Sequence, residues 1–363
     1  MILSEYFEDF GRRDWETYEG EKVVRIALVG AGWFTREWAL PGFERAAHTE
    51  PTAVIDVNPE RAETLAADHD LTALTPEEFH DGVAESEYDA VYVCTPNATH
   101  LEYVETAAKT GKDVLCEKPM ESTVDRAAEL AETARQAGVT LMIGYRMHFD
   151  PVVRRSKELI EAGTIGEVVQ VQGNMSQRML AELGGDASDQ WRLDPDLAGG
   201  GAMMDIGIYP LNTTRFLIES DPEHVSASTA SVHEEFSDVE EQVAVRSTFE
   251  GGVPVLFTAN HNAYHDSFLR VTGTEGEIIV DPAFFEREDR GLEIRLDGER
   301  HDVDIAHVHQ LEEEFAYFAD CVLAGRDPEP DGEHGLIDMR AIEAIYESAE
   351  TGETIGVGTS RSA

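Results

Sequence analysis

The sequence predicts an α/β protein of two domains, first a doubly wound parallel sheet, then an α+β domain with a large, open, mostly antiparallel sheet. In the first 150 residues short apolar runs alternate with helical stretches, as in a parallel sheet covered on both faces. After residue 165 polar and apolar residues alternate, as in strands with one buried face. The length of 363 residues also favours two domains, since single cores rarely exceed about 250–300 residues.

The first domain is predicted to span residues 23–148, after an acidic N-terminal extension over 1–22. Its apolar runs are short and continuous, as expected of strands buried on both faces. The helical stretches between them carry the polar residues. The predicted strands are 23–30, 51–57, 88–95, 113–117 and 139–145, with the clearest helices over 98–110 and 122–137.

The second domain is predicted over 149–363, and a helix of about 152–162 opens it. Two helices close the chain, at about 309–325 and 335–350, and the last can pack back on the first domain. Alternating strands fill the region between them. They are predicted at 166–175, 224–233, 241–249, 253–260, 266–273, 277–280 and 292–297.

The charge of the chain excludes two classes of partner. Asp and Glu number 73 against 28 Lys and Arg, which gives a formal net charge of −45. Nucleic acids and anionic membranes both require basic surfaces, so neither partner is expected. Such a charge repels itself unless salt screens it, and at about 1 M salt the screening length is about 3 Å. The composition is typical of a cytosolic protein from a salt-loving organism, and three cysteines without pairing or ligand spacing fit a reducing cytoplasm.

A glycine-containing turn after the first predicted strand indicates a dinucleotide site. Gly30, Gly32 and Thr35 occupy the three positions of the G-x-G-x-x-G fingerprint. Gly30 allows the sharp turn, and Gly32 lets the backbone approach a pyrophosphate at the start of the next helix. Thr35 departs from the third glycine, so the fingerprint is incomplete.

Two residues of the next strand–helix unit bear on the identity of the dinucleotide. Asp56 ends the second predicted strand, where an acidic residue accepts hydrogen bonds from the adenosine ribose. Asp56 can also cap the helix that starts at Pro59. A carboxylate there favours NAD because it repels a 2′-phosphate, whereas Arg61, one turn into the helix, can compensate for that repulsion. The residues alone leave this choice open.

Three further segments follow strands, at the carboxyl ends where ligands of a doubly wound sheet bind. The second of them contains Lys118, one of only five lysines in the chain, so its place at a strand end suggests a chemical role. An ion pair with a neighbouring carboxylate is the other explanation. The segments are Cys94-Thr95-Pro96-Asn97-Ala98-Thr99-His100, Cys116-Glu117-Lys118-Pro119 and Gly144-Tyr145-Arg146-Met147-His148-Phe149.

An apolar helix after residue 201 carries two polar residues. Asp205 and Tyr209 are four positions apart, which places both on one helix face. They form either a buried hydrogen bond or a working acid–base pair. The three glycines at 199–201 are expected to let the backbone approach a ligand closely.

These motifs, with Trp191-Arg192-Leu193-Asp194-Pro195, resemble those of the Gfo/Idh/MocA oxidoreductases along nearly the whole chain from 23 to 350. The specific part is Cys116-Glu117-Lys118-Pro119 together with the later Asp-x-x-x-Tyr pair. Tyr209 stands where the inositol dehydrogenases of the family carry His, so the resemblance is to the sugar-oxidising branch. It implies a Rossmann domain that binds NADP. It also implies hydride transfer from C1 of an aldose such as D-xylose to the nicotinamide, which yields the aldonolactone.

The resemblance also implies roles for individual residues. Tyr209 is the general base for the C1 hydroxyl, and the ammonium of Lys118 favours its phenolate and holds the substrate hydroxyl. Asp205 orients the sugar or the Lys–Tyr pair. Residues expected around the sugar are Arg146, Trp191, Arg192, Asp205 and Tyr209. Residues expected around the cofactor are Gly30, Gly32, Trp33, Phe34, Thr35, Asp56, Arg61, Thr95, Pro96, Asn97, His100, Glu117 and Lys118.

Asp56 departs from the pattern of the NADP-using relatives, which usually have a small residue there. We expect NADP, with NAD also accepted. No metal site is expected at the histidines of the second domain, because they lack an accompanying acidic or thiol pattern. They are His261, His265, His301, His307 and His309.

Two other functions stay open. One is another sugar or inositol dehydrogenase of the family, including a glucose–fructose oxidoreductase-like enzyme that never releases its cofactor. The other is a non-catalytic regulator that senses a sugar or a dinucleotide. A regulator predicts a disrupted catalytic set, whereas Lys118, Asp205 and Tyr209 are all present. The open sheet must cover its second face, so a homodimer or homotetramer through the C-terminal sheet is expected.

Overall fold

The computed structural model describes residues 13–183, 190–285, 290–303, 305 and 307–358, which form two sheets. The strands of the first sheet are β1 (Val24–Val29), β2 (Thr49–Ile55), β3 (Thr72–Leu74), β4 (Ala90–Val93), β5 (Asp113–Glu117) and β6 (Leu141–Gly144). Their order is β3-β2-β1-β4-β5-β6 and every neighbouring pair is parallel. This confirms the predicted doubly wound sheet. The strand order reverses between β1 and β4, where such sheets bind ligands.

Short helices connect these strands, and their ends follow from local sequence. Asn58 caps the second helix by accepting from the main-chain N–H of Arg61, and Pro59 occupies its first turn. Thr75 and Glu78 form a reciprocal capping box on the third. The helices are α1 (Leu40–Arg45), α2 (Pro59–His69), α3 (Pro76–His80), α4 (His100–Lys109) and α5 (Val124–Ala137).

The second sheet has nine strands. In the first sheet's numbering they continue as β7 (Val168–Arg178), β8 (Pro222–Ala230), β9 (Gln242–Phe249), β10 (Pro254–Asn260), β11 (Asn262–Gly273), β12 (Gly276–Val280), β13 (Leu292–Leu296), β14 (Glu299–Val303) and β15 (Ile355–Gly356). The order is β14-β13-β12-β11-β7-β10-β9-β8-β15. Only the β7–β10 pair is parallel among these described strands, which confirms the mostly antiparallel sheet.

The helices of the second half join the two sheets. Phe43 of the first half stacks on Phe315 with ring centroids 3.6 Å apart. A Cβ added at Gly332 would come within 2.9 Å of Leu141, so the last helix begins against the edge of the first sheet. These helices are α6 (Pro151–Glu161), α7 (Met179–Leu183), α8 (Pro195–Ala198), α9 (Ile208–Ile218), α10 (Gln310–Ala324) and α11 (Gly332–Thr351).

The described part of the N-terminal extension lies along α10. Arg13 pairs with Glu313 at 2.7 Å, and the ring of Trp15 meets that of Tyr317 edge-on. The carboxylate of Asp320 accepts from the main-chain N–H of Thr17 at 2.8 Å. The prediction for residues 1–12 falls outside the described part of the chain. No helix within the described residues has both the length and the apolar character needed to cross a bilayer.

Candidate active site

The turn after β1 has the geometry of a dinucleotide site. Gly30 has φ +95°, and a Cβ there would lie 2.2 Å from the carbonyl oxygen of Cys94, so this position requires glycine. A Cβ at Gly32 would meet nothing within 4 Å, so the backbone faces open space into which a pyrophosphate fits. The helix begins at Trp33, which is 49% exposed. Thr35 is fully buried in a π-helical turn, with the partly buried Phe34 before it.

Asp56 is buried at the end of β2 and is held by the protein itself. Its Oδ2 accepts from the main-chain N–H of Ala31 at 2.7 Å, and its Oδ1 accepts from that of Asn58 at 2.8 Å. Arg61 Nη1 lies 3.4 Å from Oδ2, and the Arg61 side chain is 44% exposed. Asp56 does not cap the next helix, because Asn58 does. Asp56, the predicted ribose acceptor, therefore also holds the glycine turn against the end of β2, and the guanidinium of Arg61 lies beside it.

Four residues of the turn after β4 were predicted to contact the cofactor, and two of them make hydrogen bonds within the protein instead. Asn97 is buried and donates from Nδ2 to the carbonyl oxygen of Ala198 at 2.8 Å. The ring nitrogens of the buried His100 lie 3.2 Å from the Met120 carbonyl oxygen and 3.0 Å from that of Thr95. Burial lowers the pKa of His100. Thr95 and Pro96 remain partly exposed and are available to a ligand.

Lys118, Asp205 and Tyr209 come together beyond the end of β5. The Lys118 ammonium donates to the main-chain oxygen of Asp205 at 2.8 Å and lies 3.7 Å from its Oδ1. The same nitrogen lies 4.7 Å from the centroid of the Tyr209 ring. The Lys118 and Asp205 side chains are only 13% and 17% exposed, so their charges interact in a poorly screened environment.

The charges in this cluster fix its protonation. Burial works to lower the pKa of Lys118, but Tyr209, Asp205 and Glu117 outweigh it and hold that pKa above its ordinary value. Burial works to raise the pKa of Asp205, but Arg192, His261 and Lys118 hold it well below its ordinary value. Lys118 is therefore a cation and Asp205 an anion at neutral pH.

Three residues predicted to contact sugar surround the same cluster. Arg146 is buried and donates from Nε to the Tyr209 hydroxyl oxygen at 3.2 Å. Arg192 Nε lies 3.3 Å from Asp205 Oδ1, and its guanidinium stacks over Trp191 at 4.5 Å. Arg146 thus gives the phenol oxygen a charged donor, which its predicted role as a sugar-pocket residue did not include.

The helix that carries Asp205 differs from the sequence prediction. Residues Met203–Gly207 form a π-helical turn before α9, instead of a regular α-helix. The Asp205 carboxylate and the Tyr209 ring still reach the same ammonium, at 3.7 and 4.7 Å, as expected of two side chains on one face. Glu240 accepts from the main-chain N–H groups of Gly201 and Met203, both at 2.8 Å, and so satisfies the start of this helix.

The expectation that the three glycines at 199–201 admit a ligand is wrong. A Cβ at Gly199 would lie 2.2 Å from the carbonyl oxygen of Ser122. At Gly200 it would lie 2.0 Å from the Tyr346 hydroxyl, and at Gly201 2.1 Å from a main-chain oxygen. These glycines allow close packing of protein against protein.

Three buried groups near the cluster were not predicted from the sequence. Tyr92 donates to Glu117 Oε1 at 2.7 Å. The carboxylate of Glu314 is fully buried with no hydrogen bond among the described residues, and burial, helped by Glu117, raises its pKa well above the ordinary value. His261 Nε2 lies 3.1 Å from Asp205 Oδ2, a contact that the sequence analysis did not predict. Because His261 lies 56 positions from Asp205, no local pattern in the sequence links the two residues.

The residues present fit a dinucleotide. Gly30 and Gly32 follow β1, Asp56 follows β2 and Lys118 follows β5, so all four lie at the carboxyl end of one parallel sheet, with open space at Gly32. Within the described ranges, no group of three or more His, Cys, Asp or Glu residues could hold a metal ion.

Comparison with known proteins supports this interpretation. The model of the oxidoreductase family with an NAD-binding Rossmann fold matches residues 24–145, and the GFO/IDH/MocA C-terminal domain matches 153–279. The chain is 49% identical over 350 residues to a D-xylose 1-dehydrogenase [NADP(+)] of Haloarcula marismortui, covering 95% of this chain and 97% of that one. It is 30% identical to a D-xylose 1-dehydrogenase (NADP(+)) 2 of Haloferax volcanii, with 92% and 99% covered.

Solved structures share the fold. The crystal structure of an aldose–aldose oxidoreductase from Caulobacter crescentus complexed with glycerol superposes with a TM-score of 0.86 at 30% identity. It covers 92% of this chain and 100% of that one. A levoglucosan dehydrogenase complexed with NADH and levoglucosan has a TM-score of 0.81 at 22% identity, with 93% and 100% covered.

Proposed function

Because this chain belongs to the Gfo/Idh/MocA oxidoreductase family, we propose that it is an NADP-dependent aldose 1-dehydrogenase that acts on D-xylose. One observation carries the proposal: the Tyr209 hydroxyl accepts from Arg146 at 3.2 Å, and the Lys118 ammonium lies over the Tyr209 ring at 4.7 Å. Two cations beside one phenol can stabilise negative charge as it develops near that oxygen. A phenol placed in this way, beyond the carboxyl end of a parallel sheet, suits proton exchange with a sugar hydroxyl.

Tyr209, Lys118 and Asp205 have different roles in the proposed reaction. When bound beside Lys118, a nicotinamide cofactor would supply the hydride acceptor for C1 of the sugar. Tyr209 takes the proton of the C1 hydroxyl at its phenol oxygen, so the C1–H and O–H bonds break and a carbonyl forms at C1. Lys118 stays protonated throughout, because Tyr209, Asp205 and Glu117 hold its pKa above the ordinary value. It therefore acts as the cation beside the substrate oxygen and Tyr209, and Asp205 keeps it in place.

The surroundings of Asp56 support NADP in spite of the carboxylate. Two main-chain N–H groups at 2.7 and 2.8 Å already stabilise its charge, and Arg61 lies 3.4 Å away. The half-exposed guanidinium of Arg61 offers its remaining donors to a 2′-phosphate. The ribose of NAD can still reach the carboxylate, so both dinucleotides are accepted, with NADP preferred.

The intact cluster favours the enzyme over a sensing regulator. A regulator has no need of a cation placed 4.7 Å from a phenol ring or of a buried arginine on its hydroxyl. We place the enzyme in the cytoplasm, because Cys94, Cys116 and Cys321 are all unpaired.

We further propose a homodimer or homotetramer through the second sheet. Leu256 of β10 is 40% exposed and Tyr264 of β11 is 81% exposed, so apolar surface on this sheet is left without a covering element of the described chain. Light scattering in molar KCl is expected to give at least twice the 40.1 kDa of one chain. A mass of one chain would contradict this assembly.

An initial-rate screen of aldoses with NADP and NAD at several KCl concentrations tests the function. We expect NADP reduction with D-xylose. Lys118→Ala and Tyr209→Phe are each expected to lower kcat about 10²–10⁴-fold, and Tyr209→Phe should still bind NADP. Lys109→Ala, on an exposed residue, is the matched control and should keep the parent rate. Full rates in both site variants would refute the mechanism, and no reduction with any pentose or hexose would favour the sensor.

A further inference from the structure

His261 is fixed between β10 and β11 by its main chain. Its N–H donates to the carbonyl oxygen of Glu241 at 2.9 Å, and its carbonyl oxygen accepts from Met179 at 2.9 Å. The side chain is fully buried, with the ring of Phe236 at 6.2 Å. The imidazole therefore has little freedom to turn, and its orientation is set by the second sheet.

The polar contact of this ring is with Asp205. Its Nε2 lies 3.1 Å from Asp205 Oδ2, and its Nδ1 is buried with no hydrogen-bond partner among the described residues. Asp205 is ionised and can only accept, so Nε2 carries the hydrogen and donates it. Among the described residues, only one ring nitrogen of this buried imidazole makes a hydrogen bond, and its partner is the Asp205 carboxylate.

The two oxygens of Asp205 have different partners. Oδ2 meets His261, whereas Oδ1 lies 3.3 Å from Arg192 and 3.7 Å from the Lys118 ammonium. The main-chain oxygen of Asp205 also accepts from Lys118 at 2.8 Å. If Oδ2 lost its donor, the carboxylate could rotate toward the two cations, and Lys118 would be drawn away from Tyr209.

We propose that His261 is a positioning residue of the active site, which acts by holding Asp205 Oδ2 so that Lys118 stays beside Tyr209. This inference rests on the proposed function of that cluster. It gives the second sheet a part in catalysis, because the ring comes from the junction of two of its strands. His261 touches none of the reacting atoms.

Three substitutions separate positioning from packing. Glutamine carries its amide nitrogen close to the position of Nε2, so His261→Gln should keep the contact and most of kcat. Asparagine carries its amide near Nδ1, so His261→Asn stays polar but cannot reach Asp205. His261→Phe keeps the ring volume without any donor. We expect the Asn and Phe variants to lower kcat about 10- to 100-fold, the loss typical of a hydrogen bond to a charged group, with KM for NADP unchanged.

A double-mutant cycle tests whether His261 acts through Asp205. In an Asp205→Asn background, His261→Phe should add less than twofold to the loss in kcat, because the carboxylate that it orients is gone. His265→Phe, on a ring of β11 stacked on Phe285, is the matched control and should keep the parent rate. Thermal unfolding of each variant checks that the fold is intact.

The outcomes are distinct. If the parent protein fails to reduce NADP with every aldose tested, the proposed function itself is overturned. An active parent whose Asn and Phe variants keep full kcat overturns the role of His261, and so does a Gln variant as slow as the Phe variant. Fully additive losses in the double mutant overturn the route through Asp205. If the Phe variant fails to fold, the comparison of Gln with Asn decides.

Discussion

A partly buried histidine at the start of α11 is expected to make the fold sensitive to acid. Asn212 donates from Nδ2 to His334 Nε2 at 2.9 Å and accepts at Oδ1 from His148 Nε2 at 2.7 Å. Burial, with the charges of Arg215 and Lys157, lowers the pKa of His334 to about 3. Burial also lowers the pKa of His148 well below its ordinary value. Both imidazoles are therefore neutral in the folded protein at neutral pH.

The size of the effect follows from the two pKa values of His334. The unfolded chain protonates this imidazole below about pH 6.5, whereas the folded protein does so only near pH 3. The unfolded state binds more protons between these values, so the free energy of unfolding falls as the pH falls. The loss reaches about 5 kcal/mol below pH 3, and it is already about 2 kcal/mol at pH 5 relative to pH 7.5.

Thermal unfolding at pH 7.5 and pH 5 in molar KCl measures this loss. His334→Gln keeps an acceptor for Asn212 and cannot titrate, so its Tm should fall less than that of the parent, by about 3 °C for a chain of this length. His224→Gln, on an exposed histidine, is the matched control and should show the full fall. If His334→Gln loses as much Tm as the parent between the two pH values, a partly buried neutral imidazole is not the cause.

Two other substitutions test the cofactor site. Gly30→Ala should abolish detectable NADP binding in a fluorescence titration and lower Tm, because its Cβ would lie 2.2 Å from the Cys94 carbonyl oxygen. Gly111 also has a positive φ, +70°, but a Cβ there would meet nothing within 4 Å, so Gly111→Ala is the control and should keep NADP affinity. Equal NADP affinities in the two variants would contradict the argument from close approach. Arg61→Ala should weaken NADP about 10- to 100-fold and leave NAD unchanged, as measured by KM, with the exposed Arg135→Ala as control. A parallel loss for both dinucleotides would show that Arg61 does not contact the 2′-phosphate.

The strands of both sheets were predictable because burial on one face or two leaves a periodic pattern. Three strands were missed, and each is short or lies at a sheet edge: β3 (Thr72–Leu74), β14 (Glu299–Val303) and β15 (Ile355–Gly356). An edge strand such as β14 is polar and half-exposed, so it lacks the apolar alternation on which a prediction depends. Tertiary pairing alone makes these segments strands.

The site residues that the sequence predicted correctly are also those marked by local features. Lys118 was marked by its rarity and its place after a strand, and Asp205 and Tyr209 by their spacing, since these are local features of the sequence. The three glycines at 199–201 look identical to ligand-binding glycines in sequence, but their neighbours Ser122, Tyr346 and Glu240 come from distant segments. Local sequence cannot distinguish a glycine packed against protein from one packed against a ligand.

The sequence by itself determined the longer strands and helices, the glycine turn, the rarity of Lys118 and the spacing of Asp205 and Tyr209, because each of these is a local feature of the chain. Only the tertiary structure decided that Arg146 donates to the Tyr209 hydroxyl and that His261 holds Asp205. Those contacts join residues 63 and 56 positions apart. Charge interactions in a buried site depend on distance in space. The fold sets that distance because the turn before α9 packs on β7 and β10, and this turn and the start of α9 contact the residues that follow β5 and β6.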